Sequence, residues 1–226
     1  MNRPRILDLF SGAGGAAVGY HRAGFDVTGV DNRPQPRYPF EFVQGDALEF
    51  VAAHGGEFDA IHASPPCQDH TELAFGIGGQ RVRAGTGWML PATIDALSAL
   101  GLPYVVENVP GADMPGAVLL CARSFGIARL RRHRKFLVSF PVLVPPCACR
   151  RGMPVVGVYG DLRRNDRGMG RGRIRAGVDT ARELLGCPWM DAAELSQAIP
   201  PAYTQFIGEQ LAAHLDHHTA SREVPA

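Results

Sequence analysis

The chain holds a single lysine, Lys135, and no run of about eighteen apolar residues. The missing run argues against a membrane-spanning helix. The stretch before Ser11 is too short for the apolar core of a secretory signal. Cysteine is scarce and odd in number, at positions 67, 121, 147, 149 and 187. That pattern argues against a disulfide scaffold and for a reduced, cytoplasmic protein. No internal repeat occurs.

What is present is an ordinary globular composition with an uneven charge. Hydrophobic residues make up 46% and charged residues 20%, which excludes wholesale disorder. At 226 residues the chain is long for one domain and short for two. The net charge of +1 hides an asymmetry. Residues 123–175 carry 13 Arg and one Lys against two acids, a local +12, and the remainder carries −11. Arginine bias in the coding sequence explains the choice of Arg over Lys but not the clustering. One face suited to a polyanion is the expected consequence.

Short apolar runs alternate with helix-like stretches over the first half, the pattern of βαβ units. Strands are predicted over 5–10, 26–31, 41–44, 58–63 and 104–107, with a further one over 137–140. Helices are predicted over 16–23, 47–54, 90–100, 179–185 and 203–215, and Asp191 with Glu194 forms a capping-box pattern for one more. Phe75 to Gly87 has no periodicity and reads as a mobile loop. The expected fold is a doubly wound, Rossmann-like α/β domain with a small irregular insert. Its expected parts are a main α/β domain over 1–140, an Arg/Gly-rich insert over 141–178, returning helices over 179–216 and a flexible tail over 217–226.

Four motifs carry chemistry. Asp8-Leu9-Phe10-Ser11-Gly12-Ala13-Gly14-Gly15 closes the first strand, where glycines allow a ligand close to the backbone at the switch point of an open sheet. Its spacing is not GxGxxG, which argues against a nicotinamide cofactor. Asp31 ends the next strand, where a carboxylate can accept from ribose hydroxyls. Ser64-Pro65-Pro66-Cys67-Gln68 follows the fourth strand and presents Cys67 rigidly. Cys67 reads as a thiolate nucleophile or as a small buried cysteine; the latter suits Cys121 and Cys187 well. Glu107-Asn108-Val109 offers a desolvated carboxyl for acid catalysis or, taken alone, an ion-pair carboxylate. Arg132 and Arg134 alternate, so they share a face of an extended chain.

In this order the motifs resemble the DNA (cytosine-5) methyltransferase family, and the compact chain is most similar to the short methylases of phages and prophages. The resemblance covers about 5–140 and 180–215. It implies S-adenosylmethionine as cofactor, double-stranded DNA as partner, a monomer, and a flipped-out cytosine as target. Cys67 would attack carbon 6, Glu107 would hold and protonate ring nitrogen 3, and Arg134 with Arg132 would orient Glu107 and bind the base oxygen. Phe10, Ser11, Gly12, Ala13, Gly14 and Gly15 would line the cofactor, with Asp31 on the ribose and Asp46 with Ala47 at the adenine. Pro65 and Gln197-Ala198 would close that pocket. Gln68, Arg163, Arg164, Arg171, Arg173 and Arg175 would contact DNA.

Two departures stand out. Leu130 replaces the Gln of the family's QxRxR motif, and Ser196-Gln197 replace a Gly-Asn pair. Cys147-Ala148-Cys149 finds no second pair at metal-binding spacing, so no metal is expected. The alternatives are an RNA cytosine-5 methyltransferase acting on tRNA, or a catalytically idle nucleic-acid-binding protein on the same fold.

Overall fold

The protein, seen as a computed structural model, is described over residues 3–66, 85, 87–153, 155–158, 162 and 173–222. Chain order runs β1 (Arg5–Leu9), α1 (Gly15–Arg22), β2 (Asp26–Asp31), β3 (Glu41–Gln44), α2 (Ala47–His54), β4 (Ala60–Ala63), α3 (Met89–Leu100) and β5 (Tyr104–Asn108). It continues through β6 (Val118–Cys121), β7 (His133–Val138), β8 (Val155–Gly157), β9 (Arg173–Arg175), α4 (Val178–Leu185), α5 (Ala192–Gln197) and α6 (Pro201–Arg222). Seven strands form one sheet in the order β3-β2-β1-β4-β5-β7-β6, parallel except for β7, which is antiparallel to both neighbours. The switch of direction falls between β1 and β4, so the turns after those strands open into one crevice.

Both faces of the sheet are covered, which is why β1 is buried from Ile6 to Leu9 instead of alternating. Ile6 packs with Tyr20 of α1 and with Tyr203, Ile207 and Leu211 of α6. Leu7 and Leu9 face the other way, toward Val51 of α2 and Leu97 of α3. No described helix is long and apolar enough to cross a membrane.

The C-terminal chain extends past expectation: α6 reaches Arg222, into the stretch expected to fray. The insert is also less irregular than expected, because β8 and β9 pair as a small parallel sheet that includes Arg173 and Arg175 on its backbone. Leu130 bridges to Val156 of that sheet and is 1% exposed. The departure from Gln is therefore a core contact that seats the insert. The strand expected over 137–140 lies earlier, at β7, and β6 carries no alternation that periodicity could detect.

Thr204 Oγ1 donates to the Ala16 carbonyl at 2.8 Å, holding α1 and α6 in close contact. A Cβ on Gly19 would overlap both the Pro201 carbonyl oxygen and Thr204 Oγ1. Alanine gains up to about 1 kcal/mol of helix propensity, but overpacking against rigid backbone costs roughly 1–3 kcal/mol. Gly19→Ala is expected to lower the melting temperature by about 2–6 °C, measured by calorimetry. An unchanged or raised value would mean that α6 can shift freely on α1.

Candidate active site

The glycine turn after β1 is built on one carboxylate. Asp31 Oδ2 accepts from the Gly12 amide at 3.0 Å and Oδ1 from the Arg33 amide at 2.9 Å. Each oxygen keeps a lone pair for a ligand. Phe10 sits at φ +56°, a left-handed conformation that costs a non-glycine residue of order 1–3 kcal/mol and clusters at functional sites. Ser11 Oγ is buried with no hydrogen-bond partner among the described residues. A Cβ on Gly12 would meet nothing within 4 Å. The open space at Gly12 leaves room for a ligand against this turn, beside a serine hydroxyl that has no partner among the described residues.

The C-terminal segment closes over the same turn. Trp189 Nε1 donates to the Ala13 carbonyl at 2.8 Å, and a Cβ on Gly15 would lie 2.5 Å from the Ile199 carbonyl. Ala198 is buried and Gln197 exposed at this edge. Asp46 serves the fold directly, since its Oδ1 accepts from the Leu48 and Glu49 amides and so caps α2, with Ala47 buried behind it. A shallow cavity of about 360 Å³ lies at the opposite, amino-terminal end of the strands, between Arg5, Asp26 and Glu41. It is remote from these residues and takes no part in the site.

Three contacts fix the backbone that leads to Cys67. The Ser64 amide donates to the Leu9 carbonyl at 3.1 Å, Ser64 Oγ bonds His62 Nε2 at 2.8 Å, and Asn108 Nδ2 donates to the Pro65 carbonyl at 3.1 Å. Asn108 and His62 are each fully buried. Reading the motifs assigned neither residue a role; a polar residue inside an otherwise apolar strand was the available signal. Cys67 and Gln68 themselves lie outside the described residues, as do Arg163, Arg164, Arg171 and most of the 75–87 loop.

Beside Pro65, β5 supplies Glu107 and β7 supplies Arg134. Their pairing places Glu107 opposite Phe136, so Arg134 falls two residues along on the same face. Arg134 Nε lies 2.8 Å from Glu107 Oε1, both side chains largely buried. The N–H is not aimed along that line, so Oε1 makes no hydrogen bond among the described residues. Burial raises the Glu107 pKa, and the Arg134 and Arg132 charges partly oppose the rise. Arg132 also lies near Glu107, but its own hydrogen bonds go elsewhere. It donates to the Val158 carbonyl at 2.8 Å and to the Ser196 carbonyl at 2.9 Å, while Tyr203 Oη donates to the Arg132 carbonyl at 2.5 Å. Arg132 thus ties β7 to the insert and to α5. The Ser196 contact uses the main chain, which any residue in place of the family's glycine would supply.

Cys121 is buried, as expected, but strand pairing gives it and the Cys147-Ala148-Cys149 stretch neighbours that sequence spacing did not show. The β6–β7 pair sets Cys121 directly opposite His133, and Cys147 and Cys149 lie against both. Cys187 is buried, as expected.

The sheet order is that of a doubly wound, Rossmann-like fold, the fold of S-adenosylmethionine-dependent methyltransferases, and the known proteins that the chain resembles are named as methyltransferases. No protein-family profile matches the chain. Among curated proteins it is 28% identical over 205 residues to the Type II methyltransferase M.XorII of Xanthomonas oryzae, covering 83% of this chain and 43% of that one. It is 29% identical over 128 residues to the Type II methyltransferase M.AquIA of Picosynechococcus, covering 47% and 49%. The chain spans less than half the length of these relatives. Among solved structures, Schizosaccharomyces pombe Dnmt2 methyltransferase superposes with a TM-score of 0.62 at 13% identity, covering 95% of this chain and 98% of that one. Entamoeba histolytica methyltransferase EhMeth gives 0.61 at 12% identity, covering 97% and 99%. A protein described as a prophage-encoded DNA modification methyltransferase of E. coli gives 0.63 at 15% identity, covering 94% and 99%. These likenesses show the fold.

His62 yields a stability prediction. Burial pushes its pKa down from 6.5 to about 3. The neutral imidazole therefore contributes stability in full above the unfolded value, and that stability is lost as pH falls from 6.5 toward 3. About 2 kcal/mol is expected to be gone at pH 5. The buried Asp8 carboxyl, raised chiefly by desolvation, acts in the opposite sense, so the comparison must be between variants. Denaturant unfolding at pH 7.5 and pH 5 should show the loss in the native protein and a flatter dependence in His62→Asn. Equal pH dependence in the two would show that His62 is not buried neutral.

Proposed function

We propose that the chain transfers a methyl group from S-adenosylmethionine to carbon 5 of a cytosine in double-stranded DNA. The observation that carries this reading is the buried Glu107–Arg134 pair, set beside the Pro65 backbone that leads to Cys67. A carboxyl whose pKa burial raises can hold a proton and share it with ring nitrogen 3 of a cytosine. Arg134 keeps the carboxyl in place and faces the base oxygen. Cys67, as thiolate, adds to carbon 6, which makes carbon 5 nucleophilic. The bound cofactor supplies an electrophilic sulfonium methyl. Loss of the carbon 5 proton then expels Cys67 and restores the ring. Phe10, Ser11, Gly12 and Asp31 hold the cofactor, with Gln197 and Ala198 at the edge of its pocket. Arg163, Arg164, Arg171, Arg173 and Arg175 meet DNA, as phosphate contacts or at guanine edges.

Two experiments test these assignments. Duplex DNA containing 5-fluorocytosine at target sites should form a denaturation-resistant adduct in the presence of the cofactor, because fluorine blocks the final elimination. Cys67→Ala should form none. An adduct that survives the substitution, or that maps to Cys121, would remove Cys67 from this role, and adduct formation with tRNA in place of duplex DNA would move the chemistry to RNA. Asp31→Ala loses ribose acceptors and the tether on the Gly12 amide. At about 1–3 kcal/mol for such a loss, cofactor affinity should fall roughly five- to a hundredfold by calorimetry. Unchanged affinity with the fold intact would place the cofactor elsewhere.

A further inference from the structure

We propose that Cys121, His133, Cys147 and Cys149 form a structural zinc site that fastens the start of the Arg-rich insert to the β6–β7 pair. The two sequence halves of this set are far from any metal-binding spacing, and it is strand pairing that joins them. Cys121 closes β6 and His133 opens β7 directly opposite. Cys147 and Cys149 then return along the chain that leaves β7. The four ligand atoms all lie within 4.8 Å of one another.

The separations fit one small tetrahedral ion. Zinc binds thiolate at about 2.3 Å and imidazole at about 2.0–2.1 Å, so the edges of its tetrahedron are about 3.8 Å for sulfur–sulfur and about 3.6 Å for sulfur–nitrogen. Cys121 Sγ and Cys149 Sγ are 3.5 Å apart. His133 Nε2 lies 3.3 Å from Cys147 Sγ and 3.7 Å from Cys149 Sγ. Three sulfurs and one nitrogen also match a ligand set that structural zinc sites use.

The surroundings suit a metal thiolate. Ser124 holds the returning chain: its Oγ donates to the Pro146 carbonyl at 2.7 Å and accepts from the Ala148 amide at 3.3 Å. Both bonds flank Cys147. Three thiolates, a neutral imidazole and a divalent ion sum to −1, and three of the four residues lie in the 123–175 segment whose local charge is +12. Arg134 Nη1 donates to the His133 carbonyl at 3.0 Å, so the cluster adjoins the Glu107–Arg134 pair, but the proposal stands whether or not the methyl-transfer reading holds. The cluster's place next to Arg132 and Arg134 gives it a purpose, which is to fix the strand end that carries both.

The test is metal content and cobalt spectroscopy on the full chain. Protein produced with zinc supplied and dialysed without chelator should carry about one zinc per chain by plasma mass spectrometry. Replacement by Co²⁺ should give the intense d–d bands of tetrahedral coordination and a thiolate-to-cobalt charge-transfer band. Cys147→Ser, at an exposed position, should weaken that band and the retention of metal, and Cys187→Ser should change neither. Hydrogen exchange at residues 144–150 should quicken when zinc is removed. A folded native protein with substoichiometric zinc and no tetrahedral cobalt spectrum would overturn the proposal, as would equal metal retention by Cys147→Ser and the native chain. So would a Cys121–Cys149 disulfide found by mass spectrometry in protein isolated without oxidant.

Discussion

The register between β5 and β7 governs the rest of the molecule. A parallel strand and an antiparallel one meet with Glu107 opposite Phe136, and this alone puts the Arg134 guanidinium on the Glu107 carboxyl. A slip of one residue would turn Arg134 to the other face and leave a buried carboxylate without its cation. Several parts of the chain converge to hold that register. Arg132 reaches the insert at Val158 and α5 at Ser196, while Tyr203 of α6 grips the Arg132 carbonyl. On the far side of the same strand, His133 faces Cys121. One short strand and the arginine just before it thus join the seven-stranded sheet, the insert and the C-terminal helices.

Buried polar groups do the positioning elsewhere in the crevice, and each is matched to a nearby partner. Asn108 and His62 hold the backbone ahead of Cys67, and Asp31 holds the glycine turn. The exceptions are informative. Asp8 Oδ1, Ser11 Oγ, Glu107 Oε1 and Arg132 Nε are buried and lack hydrogen bonds among the described residues. Unpaired buried groups are costly, and the last three lie where a cofactor and a base are proposed to bind. At Glu107 desolvation outweighs two arginines, so the pKa rises despite the ion pair. A carboxyl placed in this way keeps its proton more readily than one on the surface, which suits an acid.

Much of this was legible in the sequence, because local signals and global fold agree over the first half. The glycine turn, the end of β2 at Asp31, α2 over 47–54 and the Asp191–Glu194 capping box are found where turn and capping chemistry put them. What escaped depends on long-range pairing. β6 is four residues long with no alternation, and β8 and β9 are three each, too short for any period to show. The Cys121–His133–Cys147–Cys149 cluster was hidden because ligand spacing is a local test and strand pairing is not. Leu130 read as a departure from a motif and is a core residue, since its partner Val156 lies 26 positions away. Asp46, read as an adenine contact, also caps α2, a role the sequence pattern alone would have suggested.

The central claim is that the group transferred lands on a cytosine carbon. Duplex DNA containing all four bases, incubated with the purified chain and isotopically labelled S-adenosylmethionine, can be digested to nucleosides and resolved by mass spectrometry. Label recovered in 5-methyldeoxycytidine is the result this account predicts. Label in N4-methyldeoxycytidine or N6-methyldeoxyadenosine, which need no thiolate addition at carbon 6, would contradict it.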